Sequence, residues 1–478
     1  MGSCYKSVTV WVMQSQTGVC EMRQTRRMFL KQSGLAMMAV GAVPGILRGA
    51  TDKIRVGFIG VGNRGSQLLQ SFMKNDDCEV AALCDVYRPF LDRDRAAVDP
   101  RIVQSIGARV PKLEEKIPAG CKRFEDFREL LAMDEIDAVC IATPDHWHAV
   151  QAIAACRAGK DVYVEKPLSI TLEEGRRMIK VARETERVVT VGINRRAAPV
   201  YRHLIETGVE NLIGEVSLGI AARVSNMFPD GIGRYEPTDP PAGLNWDLWL
   251  GPRAERPFRF NILPYKFRWW KDFSSQMANW GVHYIDGVRW MLGESAPVAV
   301  TAVGSRNIIH DDADIPDTME VLFEFPSGRL MKFSVNEACD GQIVPNNADF
   351  ELRGTKGNLV VSDRGYQLVP PRPGQFQSWK TSTAAKEVTL GDVIGQEGAR
   401  QDPTDPLVRN FLDCVKSRET PYCSLEDGHR STSFALLANI AVERGKRLEW
   451  DAESEQITND PVANAMQHYD YRGPWSLE

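Results

Sequence analysis

The run Ile54-Arg55-Val56-Gly57-Phe58-Ile59 is apolar and rich in β-formers, and it passes through Gly60-Val61-Gly62-Asn63-Arg64-Gly65 into the amphipathic stretch Ser66 to Lys74. A strand that meets a helix through three glycines at this spacing has few ways to fold. The first glycine permits the sharp bend, the second lets the backbone approach a pyrophosphate, and the third lets helix pack against strand. The helix N-terminus then receives phosphate charge. The pattern predicts a βαβ unit that holds a dinucleotide.

A glycine pattern alone is weak, so its surroundings decide. The second apolar run, Val80 to Cys84, ends in Asp85, twenty residues beyond Gly65. That is the spacing of a carboxylate on the adenosine ribose hydroxyls, which favours NAD over NADP. Arg88 nearby could stack on adenine or accept a 2′-phosphate, which leaves NADP open.

The alternation continues. Asp137 to Ala142 is a buried-strand run ending in Thr143-Pro144-Asp145-His146-Trp147-His148, followed by a helix from Ala149 to Ala158. Asp161 to Val164 is closed by Glu165-Lys166-Pro167, then come a helix over Thr171 to Glu186 and a strand over Val188 to Gly192. Such a series folds as a doubly wound parallel sheet, assigned to residues 51–195, with ligands gathered at the carboxyl ends of its strands.

After Arg195 the pattern changes. A helix through Tyr201 to Glu206 precedes a long strand, Val216 to Val224. Further strands are expected over Val298 to Arg306, Met319 to Phe325, Arg329 to Asn336, Ala348 to Arg353 and Asn358 to Ser362, with turn signals such as Pro326-Ser327-Gly328 between them. Helices follow over Leu407 to Lys416 and Gly428 to Arg444. Residues 196–478 thus read as an α+β domain with a large, mostly antiparallel open sheet, wide enough to serve as the face of a homo-oligomer.

Residues 1–50 stand apart. Thr25-Arg26-Arg27-Met28-Phe29-Leu30-Lys31 precedes a small, apolar run from Ser33 to Leu47, the pattern of a twin-arginine export signal. The run is too short for a membrane span of about 20 apolar residues. Met22 is an alternative start. The expectation is a periplasmic protein delivered by the twin-arginine export machinery already folded, with its cofactor tightly held.

The formal net charge is -5, and no strongly basic stripe follows the leader, which argues against a nucleic-acid partner. Eight cysteines lie after the leader without C-x-x-C or zinc-ligand spacing, so buried thiols are expected, with neither disulfides nor a metal site. His310 beside Asp311-Asp312-Ala313-Asp314 reads as a solvated acidic loop.

Taken together, Gly60-x-Gly62-x-x-Gly65, Asp85, Thr143-Pro144-x-His146-x-His148, Ala158-Gly159-Lys160 and Glu165-Lys166-Pro167 resemble the glucose-fructose oxidoreductase, inositol dehydrogenase and MocA (Gfo/Idh/MocA) family. The likeness continues through Gly214-Glu215-Val216, Trp246 to Gly251, Gly281-Val282-His283 and Gly428-His429-Arg430-Ser431. With its leader the chain looks most like the exported subgroup of that family. The resemblance implies a nicotinamide cofactor, a lysine of the E-K-P motif beside the nicotinamide and the substrate, and a proline after it that often follows a cis peptide bond. Lys166 takes that role by position. The expected cofactor contacts are Gly60, Gly62, Asn63, Arg64, Gly65, Asp85, Arg88, Thr143, Pro144, His148, Glu165 and Lys166.

Met277 to Asp286 starts an amphipathic helix on which positions 279, 283 and 286 share a face. The family resemblance places there an aspartate, then a histidine that accepts the proton, then a second aspartate. His283 and Asp286 match, but Asn279 stands at the first position. An aspartate would raise the histidine pKa, whereas an amide can only orient the ring. Lys166, His283 and Asn279 are the catalytic candidates, with Asn194, Arg195, Tyr265 and Asp286 facing the substrate. The favoured reading is an NAD(P)-dependent oxidoreductase acting on a hydroxyl of a sugar, polyol or glycoside. The alternatives are glycoside cleavage through transient sugar oxidation and elimination, and a non-catalytic sugar-binding relative.

Overall fold

Strand β1 (Ile54–Ile59) is buried along nearly its whole length, as parallel strands covered on both faces are. A computed structural model describes residues 53–478 apart from 108–109, 112, 114–116, 373 and 375–381; the leader, with its twin-arginine pattern, lies outside the described residues. Around β1 the strands β2 (Cys78–Cys84), β3 (Lys122–Phe124), β4 (Ala138–Ile141), β5 (Asp161–Val164) and β6 (Val189–Val191) form a six-stranded parallel sheet in the order β3-β2-β1-β4-β5-β6. The order reverses between β1 and β4, which opens a crevice at the carboxyl ends of the strands. This is the expected doubly wound sheet, with β3 an addition to it.

The first helix, Asn63–Met73, begins earlier than the amphipathic pattern suggested, because Gly62 serves as its N-cap. Gly62 has no side chain to satisfy the free N–H groups of the first turn, so these remain directed at the crevice. The helix Leu172–Glu184 is fixed by a capping box in which Thr171 and Glu174 exchange side-chain and backbone hydrogen bonds.

The second sheet has ten strands: β7 (Val216–Val224), β8 (Ala299–Ser305), β9 (Thr318–Glu324), β10 (Leu330–Asn336), β11 (Phe350–Gly354), β12 (Gly357–Ser362), β13 (Gly365–Val369), β14 (Lys386–Thr389), β15 (Leu448–Asp451) and β16 (Gln456–Ile457). Their order is β14-β13-β12-β11-β7-β10-β9-β8-β15-β16. One pair, β7 with β10, is parallel and the others are antiparallel, so the sheet is mostly antiparallel as expected. The helices Gly281–Leu292 and Leu425–Arg444 cover one face, with Val288, Phe434 and Leu437 buried against Phe323, Phe333 and Phe350.

The helix Thr404–Ser417 comes late in sequence but packs on Asn63–Met73. Its Leu407, Val408, Phe411 and Leu412 are wholly buried in the same apolar cluster as β1 and β5. The eight cysteines after the leader are free thiols, all buried except Cys339. Among the described residues no helix is long and apolar enough to cross a membrane.

Candidate active site

A cavity of about 380 Å³ runs along the carboxyl ends of the parallel strands, from Tyr87 and Phe90 past the glycine turn to Trp280 and His283. Gly60, at φ +84°, lies so close to β4 that a Cβ there would sit 2.8 Å from the Ala142 carbonyl carbon. A Cβ on Gly65 would fall 2.0 Å from the Gly60 oxygen, which accounts for its role in strand-to-helix packing. Asp85, past β2, accepts from the Val61 N–H at 2.8 Å and the Tyr87 N–H at 2.9 Å, and burial pushes its carboxyl up to about 6. With Asn63, Arg64, Thr143 and Pro144 in the wall, these groups fit a dinucleotide: glycines that leave room for it, an uncapped helix N-terminus and a ribose-facing carboxylate.

Three expected cofactor contacts do not line the cavity: Gly65, which packs beneath the turn, Arg88 and His148. Arg88 is exposed and paired with Asp92 at 2.7 Å, because the short helix Arg88–Leu91 turns Pro89, Phe90 and Leu91 inward and its arginine outward. The adenosine end is instead walled by Tyr87, Phe90 and Ile102. His148 is buried behind the wall, its Nδ1 2.7 Å from the Pro167 oxygen and its Nε2 3.0 Å from the Thr143 oxygen. It ties together the segments that follow β4 and β5.

Those segments shape the other end. Glu165 is buried and accepts from Arg64 Nε at 2.7 Å, and its proximity holds the guanidinium firmly charged against the cost of burial. The Lys166–Pro167 peptide is cis. Lys166 opens to the cavity and donates from Nζ to the Asn279 carbonyl oxygen at 2.7 Å. Burial pulls its ammonium down to about 8; Arg268 and Arg64 add to the effect, while Glu165 and Asp145 oppose it. His283 is held well below its ordinary value by burial and then by the charges of Lys166, Arg195 and Arg64, so it is neutral at neutral pH.

Among the described residues that line the cavity, the buried atoms Asn194 Oδ1, Asn279 Nδ2 and His283 Nδ1 have no hydrogen-bond partner. Buried polar groups are ordinarily satisfied, so such a cluster marks a place for a polar ligand. Tyr265 lines the cavity as expected, with the Arg268 guanidinium 4.1 Å from its ring centroid.

The shared helical face does not survive intact. The segment is two helices, Gln276–Asn279 and Gly281–Leu292, meeting at Trp280. Asn279 and His283 still meet the cavity, but Asp286 points into the protein. It is fully buried, bound by Arg196 Nε at 2.9 Å and Nη2 at 2.9 Å, and accepts from Ser431 at 2.6 Å. Arg195 also turns away from the cavity, pairing with Asp349 at 2.8 Å and Asp363 at 3.0 Å beside the second sheet. Its charge reaches His283, but its side chain does not line the site.

Sequence reasoning missed Thr404. Its hydroxyl oxygen accepts from Arg64 Nη2 and from Asn194 Nδ2, each at 3.2 Å, and so links the glycine turn to the substrate end. No local signal marks it, since it lies 340 residues from Arg64. Asp145, within the Thr143-Pro144-Asp145-His146 segment, is also buried in the cavity wall.

The sheet, the glycine turn and the acidic strand end define a dinucleotide-binding oxidoreductase fold. Residues 54–193 match the model of an oxidoreductase family with an NAD-binding Rossmann fold, 253–360 that of the GFO/IDH/MocA C-terminal domain, and 392–477 that of the oxidoreductase family C-terminal alpha/beta domain. The chain belongs to the Gfo/Idh/MocA family, and its first domain is an NAD-binding Rossmann fold.

Among relatives, a glycosyl hydrolase family 109 protein of Shewanella baltica (strain OS155) is 35% identical over 146 residues, covering 30% of this chain and 29% of the relative. An alpha-N-acetylgalactosaminidase of Shewanella oneidensis is 33% identical over 187 residues, covering 39% and 38%. The chain thus spans well under half the length of these curated relatives. Among solved structures, levoglucosan dehydrogenase in complex with NADH and levoglucosan superposes with a TM-score of 0.60 at 19% identity, over 83% of this chain and 99% of that one. The aldose-aldose oxidoreductase of Caulobacter crescentus gives 0.56 at 16%, also over 83% and 99%. At these identities the likeness is one of fold.

Proposed function

We propose that the protein is an NAD-dependent oxidoreductase that removes hydrogen from a carbohydrate hydroxyl. The observation that carries this reading is the meeting, in one cavity, of a neutral, half-buried histidine with an unpartnered Nδ1 and a lysine whose ammonium is lowered to about 8. The cofactor, when bound, supplies the hydride acceptor. His283 takes the hydroxyl proton as the C–H electron pair departs, and the Lys166 ammonium polarises the same oxygen through its N–H groups. Asn279 holds Lys166 through its carbonyl oxygen and offers its amide N–H to the substrate. Asn194 and Tyr265 supply further contacts to a polyhydroxylated ring.

A second reading is favoured by the names of the relatives that align with part of the chain. With the bound cofactor as transient hydride acceptor, the same pair of groups would serve glycoside cleavage: the oxidised carbon would acidify the neighbouring C–H, the aglycone would leave by elimination, and return of the hydride would restore the cofactor. Incubating the protein and NAD with aldoses, polyols and aryl glycosides separates the two. Accumulating NADH and keto-sugar support the first, and released aglycone without net NADH supports the second. Binding without turnover of any kind would overturn both and leave a non-catalytic binding protein, whereas full activity in a Lys166→Met variant would overturn the role given to the lysine in both.

The leader's sequence pattern supports export of the folded, cofactor-loaded protein to the periplasm, tested by fractionation with Arg26 and Arg27 replaced by lysine. The face of the second sheet opposite the helices Gly281–Leu292 and Leu425–Arg444, where Val303 and Leu322 are exposed, supports a homo-oligomer, tested by light scattering.

A further inference from the structure

Asp145 is a carboxyl for which neither reading has a use. It lies just past the carboxyl end of β4, is 3% exposed and lines the cavity. A dinucleotide in a doubly wound sheet straddles the switch point, with its adenosine half over the strand bearing the ribose carboxylate. Asp85 after β2 marks that half. The opposite half, over β4 and β5, is where Asp145 and Lys166 stand. The Ser274 hydroxyl donates to Asp145 Oδ2, and Ser274 also borders a second cavity of about 580 Å³ behind the site. The charged and titratable groups that act on Asp145 are the ring of His148, Arg268 and Lys166; burial raises its pKa and these neighbours oppose the rise.

We propose that Asp145 faces the nicotinamide ring of the bound cofactor and biases the site toward the oxidised, cationic form, with Ser274 fixing the direction of the carboxylate. The inference rests on the nicotinamide site, not on any substrate. An ionised carboxyl in a partly desolvated wall stabilises a cationic ring and does little for the neutral dihydronicotinamide. The linkage has a definite sign. NAD binding favours the ionised carboxyl, so it releases a proton at acid pH and tightens as pH rises through the carboxyl's titration, whereas NADH binding stays level. Asp85, pushed up to about 6, meets the adenosine half common to both forms and cancels in their ratio, whereas Lys166, at about 8, stands at the nicotinamide end, so the ratio is read below its titration.

The test is the dissociation constant of NADH, by fluorescence, and of NAD, by competition, between about pH 4 and pH 7 for wild type, Asp145→Asn and Ser274→Ala. In Asp145→Asn, NAD should weaken about tenfold with NADH within about twofold, a rise of about 30 mV in the potential of this two-electron couple, and the ratio should lose its pH dependence. Ser274→Ala keeps the carboxyl, so the preference should persist but set in at higher pH. Retained NADH binding reports that each variant folds. If Asp145→Asn does not bind NADH, the wild-type ratio and its shift in Ser274→Ala decide. A wild-type ratio that ignores pH, or two affinities that move together in Asp145→Asn, would overturn the proposal. Failure of every sugar in the substrate panel would instead sink the oxidoreductase reading and leave these affinities untouched.

Discussion

Replacing Asp286 by asparagine separates a structural role from a catalytic one. The carboxylate is fully buried and shared between Arg196 and Arg289, both 4% exposed, and Ser431. Removing one partner of a buried ion pair costs about 3–5 kcal/mol, because the remaining charge is left uncompensated. Here Asp427 also pairs with both arginines, at 2.9 Å each, so one negative charge stays in the cluster and the lower end, about 3 kcal/mol, is expected. Urea unfolding read by tryptophan fluorescence measures that loss, and NADH titration of the folded variant should match wild type. The arginines hold the Asp286 pKa below its ordinary value, so its contribution is present above the unfolded carboxyl range and fades as pH falls through the lower folded value. The stability gap between the two proteins should therefore narrow in acid. A variant of wild-type stability with turnover abolished would refute this placement and restore Asp286 to the chemistry.

Three further outcomes are expected. Gly65→Ala puts a methyl group against the Gly60 oxygen, so stability should fall by the upper part of the about 1–3 kcal/mol typical of overpacking, with NADH binding lost; an unchanged thermal midpoint would contradict the packing argument. In the oxidative direction kcat/KM should be level through neutral pH and decline above about 8 as Lys166 loses its proton, while Asn279→Asp should raise the His283 pKa and move the acid limb toward neutrality. Thr404→Val, which removes the acceptor shared by Arg64 and Asn194, should weaken NADH about tenfold by fluorescence titration, the equivalent of about 1.4 kcal/mol.

The cofactor half of the site was legible because its determinants are local. Gly60, Gly62, Gly65 and Asp85 act through backbone geometry set within one βαβ unit, and Glu165-Lys166-Pro167 sits at a strand end that hydrophobicity reveals. The errors arose where side-chain direction depends on distant partners. Asp286 shares its periodicity with His283, but the break at Trp280 and the pull of Arg196 and Ser431 turn it inward. Arg195 follows Asn194 directly, yet the carboxylates of Asp349 and Asp363, far along the chain, draw it to the other side. Strands β3, β13, β14, β15 and β16 span two to five residues, too short for alternation to stand out, and owe their conformation to neighbours in the sheet.

The link between Thr404 and the glycine turn gives the order of synthesis a meaning. Ser71 and Lys74 bind Asp405, while Arg409 and Lys416 reach back to Asp77, so the end of the first helix and the turn after it are riveted to one of the last. A ribosome that has released only the six parallel strands has made the cradle without its latch, and Arg64 and Asn194 still lack their common anchor. The latch arrives with residue 404, more than two hundred residues after the cradle is complete. The anchor common to Arg64 and Asn194 is thereby set in place only when nearly the whole polypeptide has emerged.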